Sequence, residues 1–210
     1  MLLAERGLQQ AAWFVPEECS PAGLAERLRQ GGMVPFEEPP FEPRFASMVM
    51  LEPPAAGPSE VEARPARSFA EFQTGARVAD EVFETSEEDR RAMEVQERVL
   101  WELQSSGRSP YRSFVAVADG EIVGSAGAIF GANAVFLVGG STKPEMRGRG
   151  VYRALVRARW DAASGSGTPA LTVGAGRMSR PILERLGFTI VGWEDCLLDR
   201  FPDPPAASGG

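Results

Sequence analysis

The stretch that most constrains this chain runs from Gly139 to Leu155: Gly139-Gly140-Ser141-Thr142-Lys143-Pro144-Glu145-Met146-Arg147-Gly148-Arg149-Gly150-Val151-Tyr152-Arg153-Ala154-Leu155. Ala134–Thr142 has the apolar make-up of a strand, and Lys143–Arg149 is a turn rich in glycine and arginine. Gly150–Ala163 is an amphipathic helix whose Val151, Leu155, Ala158 and Ala162 share one face. The first amides of a helix have no internal partner, and the macrodipole adds partial positive charge at the same end. Gly148 and Gly150 carry no Cβ that would hold an anion away from those amides. Arg147, Arg149 and Arg153 bring charge-assisted donors. Such an arrangement is suited to phosphate, and to pyrophosphate in particular. Neither G-x-x-x-x-G-K-[ST] nor a G-x-G-x-x-G after a first strand occurs, so the familiar nucleotide fingerprints are absent.

Around this stretch the periodicity predicts an α/β domain over 61–200. Val61–Arg67 reads as a strand, and Ser68 with Glu71 forms a capping box for a helix through Phe83. Thr85 with Glu88 repeats that device, and Met93, Val99, Leu100 and Leu103 give an apolar stripe to about Ser105. Phe114–Ala118 and Ile122–Phe130 flank Asp119-Gly120, a two-residue hairpin signal. After the arginine loop and its helix come a buried-type strand, Ala170–Val173, and a helix with Ser179 at its cap and Gly187 at C′. Phe188–Val191 and Cys196–Arg200 read as two closing strands. The order β-α-α-β-β-β-α-β-α-β-β predicts a mixed sheet, not a run of βαβ repeats.

Residues 51–60 read as a Pro/Gly linker, and 201–210 as a disordered tail. Upstream, Ala12–Val15 reads as a strand and Ser20-Pro21 opens a helix that reaches Gly31-Gly32. Phe45–Leu51 is a further strand.

Composition removes several function classes. A net charge of −7 argues against nucleic acid as the main partner. With no histidine in the chain, imidazole metal sites and a histidine base are excluded, and no metal is expected. Lys143 is the only lysine among 22 basic residues, the mark of a GC-rich coding bias. Cys19 and Cys196 read as free thiols of a reducing compartment. No apolar run reaches the roughly 18 residues that a spanning helix needs, and the first residues lack a signal-peptide core. The expectation is a cytoplasmic protein without a membrane partner.

Pro144-x-x-Arg147-Gly-x-Gly150 opening a helix resembles motif A of the GNAT acetyltransferase superfamily. Ser179-Arg-Pro-Ile-Leu-Glu-Arg-Leu-Gly187-Phe188 resembles its motif B. The wording Gly-Gly-Ser-Thr…Arg-Gly-Arg-Gly-Val-Tyr-Arg-Ala-Leu-Val resembles a little-characterised bacterial subgroup. The resemblance covers 61–200, most strongly 135–190.

It implies the GNAT fold: a mixed, mostly antiparallel central sheet flanked by helices, here with a small N-terminal strand–helix–strand extension. It further implies an acetyl-CoA-dependent N-acetyltransferase that passes the acetyl group by direct attack to an amine of a small molecule or protein. The alternative is a module that binds acyl-CoA without catalysis. A homodimer is an assembly the family allows.

By the resemblance, Gly140, Ser141 and Thr142 present backbone groups to the pantetheine arm. Gly148, Arg149, Gly150, Val151, Tyr152 and Arg153, with Arg147, hold the pyrophosphate. Gly139-Gly140 is the expected bulge. The family often has a second glycine where this chain has Tyr152, whose ring must pack beneath the helix or line the acceptor pocket. The tyrosine often used as general acid aligns with Leu183, and the asparagine that often starts motif B aligns with Gly176. The catalytic acid and base are therefore unassigned. Ser179 is a helix cap or a hydroxyl for the leaving thiolate. Glu194 and Asp195 form a solvated hairpin turn or lie at the acceptor cleft. Glu87-Glu88-Asp89 reads as a helix start, and Cys196 as a core residue. Residues 12–51 repeat the order of 170–200, either as a remnant of a second GNAT-like half or as an independent βαβ cap.

Overall fold

A computed structural model describes residues 10–37 and 42–201. The elements are β1 (Gln10–Pro16), α1 (Leu24–Gln30), β2 (Val34–Pro35), β3 (Arg44–Met50) and β4 (Glu62–Pro65). Then follow α2 (Phe69–Val82), α3 (Glu87–Ser105), β5 (Tyr111–Ala118), β6 (Glu121–Phe130) and β7 (Val135–Thr142). The chain ends with α4 (Val151–Gly165), β8 (Leu171–Ala175), α5 (Arg180–Leu186) and β9 (Thr189–Arg200). The expected disordered tail from 202 onward lies outside the described residues. Packing divides the chain into two units: Val49–Val173 with Leu183–Thr189, and Met1–Met48 with Gly174–Ile182 and Ile190–Gly210.

In the larger unit β4, β5, β6 and β7 pair antiparallel in sequence order, and β8 joins β7 in parallel. Asp119 (φ 51) and Gly120 (φ 81) both take positive φ, the requirement of the tight hairpin expected there. Neighbouring residues of β6 show which helix covers which face. A Cβ on Gly124 would meet Val151 of α4 at 2.9 Å, whereas a Cβ on Gly75 of α2 would meet Ser125 at 3.2 Å. Successive strand residues point to opposite faces, so α4 and α2 sandwich this sheet. The core holds Phe114, Val135, Val151, Leu155, Leu171 and Leu183, all essentially inaccessible.

Local chemistry fixes the helix starts. Ser68 accepts from the Glu71 amide at 3.2 Å, and Glu71 reaches back to the Arg67 amide at 2.8 Å, closing the predicted box one residue early. Helix α3 is capped by Ser86, which accepts from Asp89 N–H at 3.1 Å, not by Thr85 as the pattern suggested. The α3 stripe is also turned. Met93, Val95, Val99 and Leu100 are exposed, while Glu97, bonded to Gln73 at 3.0 Å, is buried. Gln104 completes the inner face by bridging the side chain and amide of Ser113.

In the smaller unit β1 runs antiparallel to β9 over its whole length. Three expectations are corrected here. Helix α1 starts at Leu24 behind Gly23 in the left-handed region, not at Ser20-Pro21. A short strand, β2, pairs with β9 between α1 and β3. The two closing strands are one, because Glu194 and Asp195 pair with Pro16 and Val15 inside β9 and form no hairpin turn.

Candidate active site

Strand β7 carries the expected bulge. Ser125 pairs with Ser141 and Gly127 with Val138, so Gly139 and Gly140 together face the single β6 residue Ala126. Both depart from ordinary strand backbone, with φ of 59 and 151. On its other side β7 is in register with β8 only at Val135–Leu171 and Phe136–Thr172. Among the described residues no β7 residue from Leu137 to Thr142 is in register with β8.

The side chains of this segment divide. Ser141 is buried and shares a 2.9 Å hydrogen bond with Ser125, so it offers only its backbone. Thr142 has a buried Oγ1 with no hydrogen-bond partner. A 3₁₀ turn at Pro144–Met146 follows, and the Lys143 amide closes on Val123 O at 2.9 Å.

Gly148 and Gly150 both sit at φ 77, in the left-handed region, so the motif's glycines are set by backbone conformation. Gly150 is the N-cap of α4, with no side-chain cap. The first helical bond is Ala154 N–H to Gly150 O at 3.0 Å, so the amides of Val151, Tyr152 and Arg153 precede the ladder. Arg147, Arg149 and Arg153 are exposed and pair with no carboxylate among the described residues. The Arg149 guanidinium donates to the Met146 sulfur, at 3.2 Å. The loop thus gathers three exposed guanidinium groups and an open helix end, and none of the three is in an ion pair among the described residues.

Tyr152 is half-buried between α4 and the bulge. Its ring lies over β7, with Cε2 2.6 Å from the position of a Cβ on Gly140. Sequence reasoning missed the residue behind it, Arg159, which is fully buried on the inner face of α4. The helical stripe is rotated accordingly: Ala154, Val156, Arg159, Trp160 and Ala163 are buried, while Ala158 and Ala162 are only half-buried. Spacing alone puts Arg159 four residues after Leu155 and seven after Tyr152, on their side of the helix, but does not tell a buried arginine from one that reaches out to solvent.

Motif B forms as expected at its end. Gly187 takes φ 104, and the Phe188 amide returns to Leu183 O at 3.0 Å. Leu183 is wholly buried and supplies no proton. Ser179 donates to Gly176 O at 3.4 Å, back toward its own turn. In the smaller unit Asp195 pairs with Arg29 at 2.9 Å. The Glu194 carboxylate stands 2.7 Å from where Gly174 would carry a Cβ, and burial pushes its pKa up. Burial, with the Glu194 charge, pushes the Cys196 thiol up to about 11, so it is held protonated in the core it was expected to join. Among the described residues no His/Cys/Asp/Glu cluster is arranged for a metal, and no helix is long and apolar enough to cross a membrane.

The family model for the Acetyltransferase (GNAT) family matches residues 76–188, more than half of the chain. The chain belongs to the GNAT family. The fold is shared with a GCN5-related N-acetyltransferase from Kribbella flavida at 19% identity and a TM-score of 0.68, covering 96% of this chain and 72% of that one. A tandem GNAT protein from the clavulanic acid biosynthesis pathway aligns at 14% identity and a TM-score of 0.65, covering 97% and 68%. A PaiA N-acetyltransferase from Thermoplasma acidophilum, solved in complex with coenzyme A, aligns at 18% identity and a TM-score of 0.52, covering 67% and 99%. No curated protein sequence matches the chain. The GNAT fold expected from the motifs, with its mixed and mostly antiparallel sheet, is the fold observed.

Proposed function

We propose that this GNAT protein transfers an acetyl group from acetyl-CoA to the nitrogen of an amine acceptor. The observation that carries this reading is the end of α4, where left-handed Gly148 and Gly150 open a helix terminus beside the unpaired Arg147, Arg149 and Arg153. A pyrophosphate there would be met by helix amides and guanidinium donors together. The bulged β7, free of β8 beyond Phe136, would offer Gly140–Thr142 backbone groups to the pantetheine arm.

The chemistry is a single displacement. A neutral amine attacks the thioester carbonyl, a C–N bond forms, the C–S bond breaks, and the coenzyme thiolate takes up a proton. A backbone N–H at the bulge polarises the carbonyl oxygen where negative charge develops. An alkyl amine has an unperturbed pKa near 10.4, so a base that removes its proton speeds the step.

A second reading, an acyl-CoA-binding module without catalysis, is favoured by the burial of Leu183 where the family often places its acid. The antiparallel run of β1 along β9 supports treating 12–51 as a partial GNAT-like half. Release of free thiol from acetyl-CoA, followed over a panel of small and peptidyl amines, tests the main reading. Amine-dependent thiol release supports transfer. Tight acetyl-CoA binding with no release across the panel favours the second reading.

A further inference from the structure

Arg159 is the largest fully buried side chain among the described residues. Its Nε donates to Leu155 O at 3.0 Å within α4, and its Nη1 donates to Gly127 O at 3.2 Å on β6. Nη2 makes no hydrogen bond. Among the described residues no carboxylate pairs with it; burial pushes its pKa down, and the neighbouring Tyr152 and Tyr111 oppose that shift. These are the only two tyrosines in the chain.

Both rings are admitted by glycines. A Cβ on Gly127 would stand 2.6 Å from Tyr111, and one on Gly140 would stand 2.6 Å from Tyr152. Gly127 is the β6 residue paired next to the bulge, and Gly140 lies in the bulge itself. The guanidinium therefore holds the strand facing the bulge through one bond, and the ring of Tyr152, from the same helix, backs the bulge. Burying a guanidinium without a carboxylate is costly, and a buried polar group left short of partners calls for an explanation.

We propose that Arg159 is a positioning residue for the acyl carbonyl. Through Gly127 and Tyr152 it fixes the Gly139–Gly140 bulge, and its uncompensated charge strengthens the bulge amides as donors to the carbonyl oxygen. Preorganised donors at such a place act where charge develops, and a low dielectric magnifies them. The inference rests on the acetyl-transfer reading, and it explains why a tyrosine stands where the family often has glycine.

The test needs no acceptor. [1-13C]Acetyl-CoA is bound at saturation, and its carbonyl band is read by isotope-edited infrared spectroscopy. In the wild-type protein the band moves to lower frequency than in free acetyl-CoA. Arg159→Met loses most of that displacement, Arg159→Lys retains it, and Tyr152→Phe falls between. CoA, which has no acyl carbonyl, binds wild type and Arg159→Met alike. A folded Arg159→Met protein with the wild-type band overturns the inference. If Arg159→Met does not fold, Tyr152→Phe decides: an unchanged band overturns the inference and a reduced displacement sustains it. Failure of the wild type to bind CoA at all overturns the acetyl-transfer reading itself, and is seen before any variant is compared.

Discussion

The ring of Tyr152 occupies the space in which any side chain on Gly140 would have to begin: the gap to an added Cβ would be 2.6 Å. Gly140 also has φ 151, outside the range that L residues adopt readily. Space and backbone therefore both demand glycine at this point of β7. Gly140→Ala should destabilise the fold by about 2–3 kcal/mol, from overpacking and backbone strain together. Removing the ring as well, in Gly140→Ala/Tyr152→Ala, relieves the steric part only. A double-mutant cycle by thermal or denaturant unfolding should give a coupling free energy of about 1 kcal/mol or more. Strict additivity would contradict the contact.

Acid sensitivity should concentrate at the start of α2. Arg64 grips Glu71 with two bonds of 2.7 and 2.9 Å, and the Arg67 amide adds a third at 2.8 Å. The Arg64 guanidinium, helped by that amide, holds the Glu71 carboxyl at about 2, down from 4.5. A carboxyl depressed on folding gives stability that is complete above its unfolded pKa and disappears as pH falls through the folded one. The contribution should be whole above about pH 5 and lost toward pH 2. Unfolding free energies measured across that window should fall less steeply for Glu71→Gln than for the wild type.

Glu194 should behave in the opposite sense. Burial against Gly174 raises its pKa, so the folded state holds its proton more tightly than the unfolded chain does. Its ionisation then takes stability away as pH rises from the ordinary carboxylate range through the folded value. Glu194→Gln, similar in shape and without charge, should be at least as stable as the wild type at neutral pH and lose the advantage in acid. Loss of stability at pH 7 would show that the carboxylate has a partner that the geometry does not reveal.

The elements that carry their own local signals were legible in the sequence. Ser68 and Glu71 announced α2, Asp119-Gly120 announced a hairpin with two positive φ angles, and Gly187 announced the end of α5. What escaped depended on partners distant in the chain. Gly192-Trp193-Glu194-Asp195 has the composition of a turn, yet β1 pairs with this segment and Arg29 takes the Asp195 charge, which makes it strand. The apolar stripe of α3 suggested a core face, but Glu97 and Gln104 found polar partners in half-buried Gln73 and buried Ser113 and turned the helix. Of the candidate site, the glycines and arginines of 147–153 stood out because phosphate chemistry needs those residue types in that order. Arg159 did not, because an arginine on an apolar face is visible only when the packing of α4 on β6 is known.

We propose that the loop from Arg147 to Arg153 receives the pyrophosphate of coenzyme A, and calorimetric titration of CoA into Arg147→Glu is the sharpest test of that placement. Reversing one of three guanidinium contacts at an open helix end should weaken binding by about tenfold or more, as expected when a charge-assisted phosphate contact of about 1.5–3 kcal/mol is lost. The fold should be retained, because Arg147 is exposed and pairs with no carboxylate among the described residues. CoA affinity equal to that of the wild type would contradict the placement.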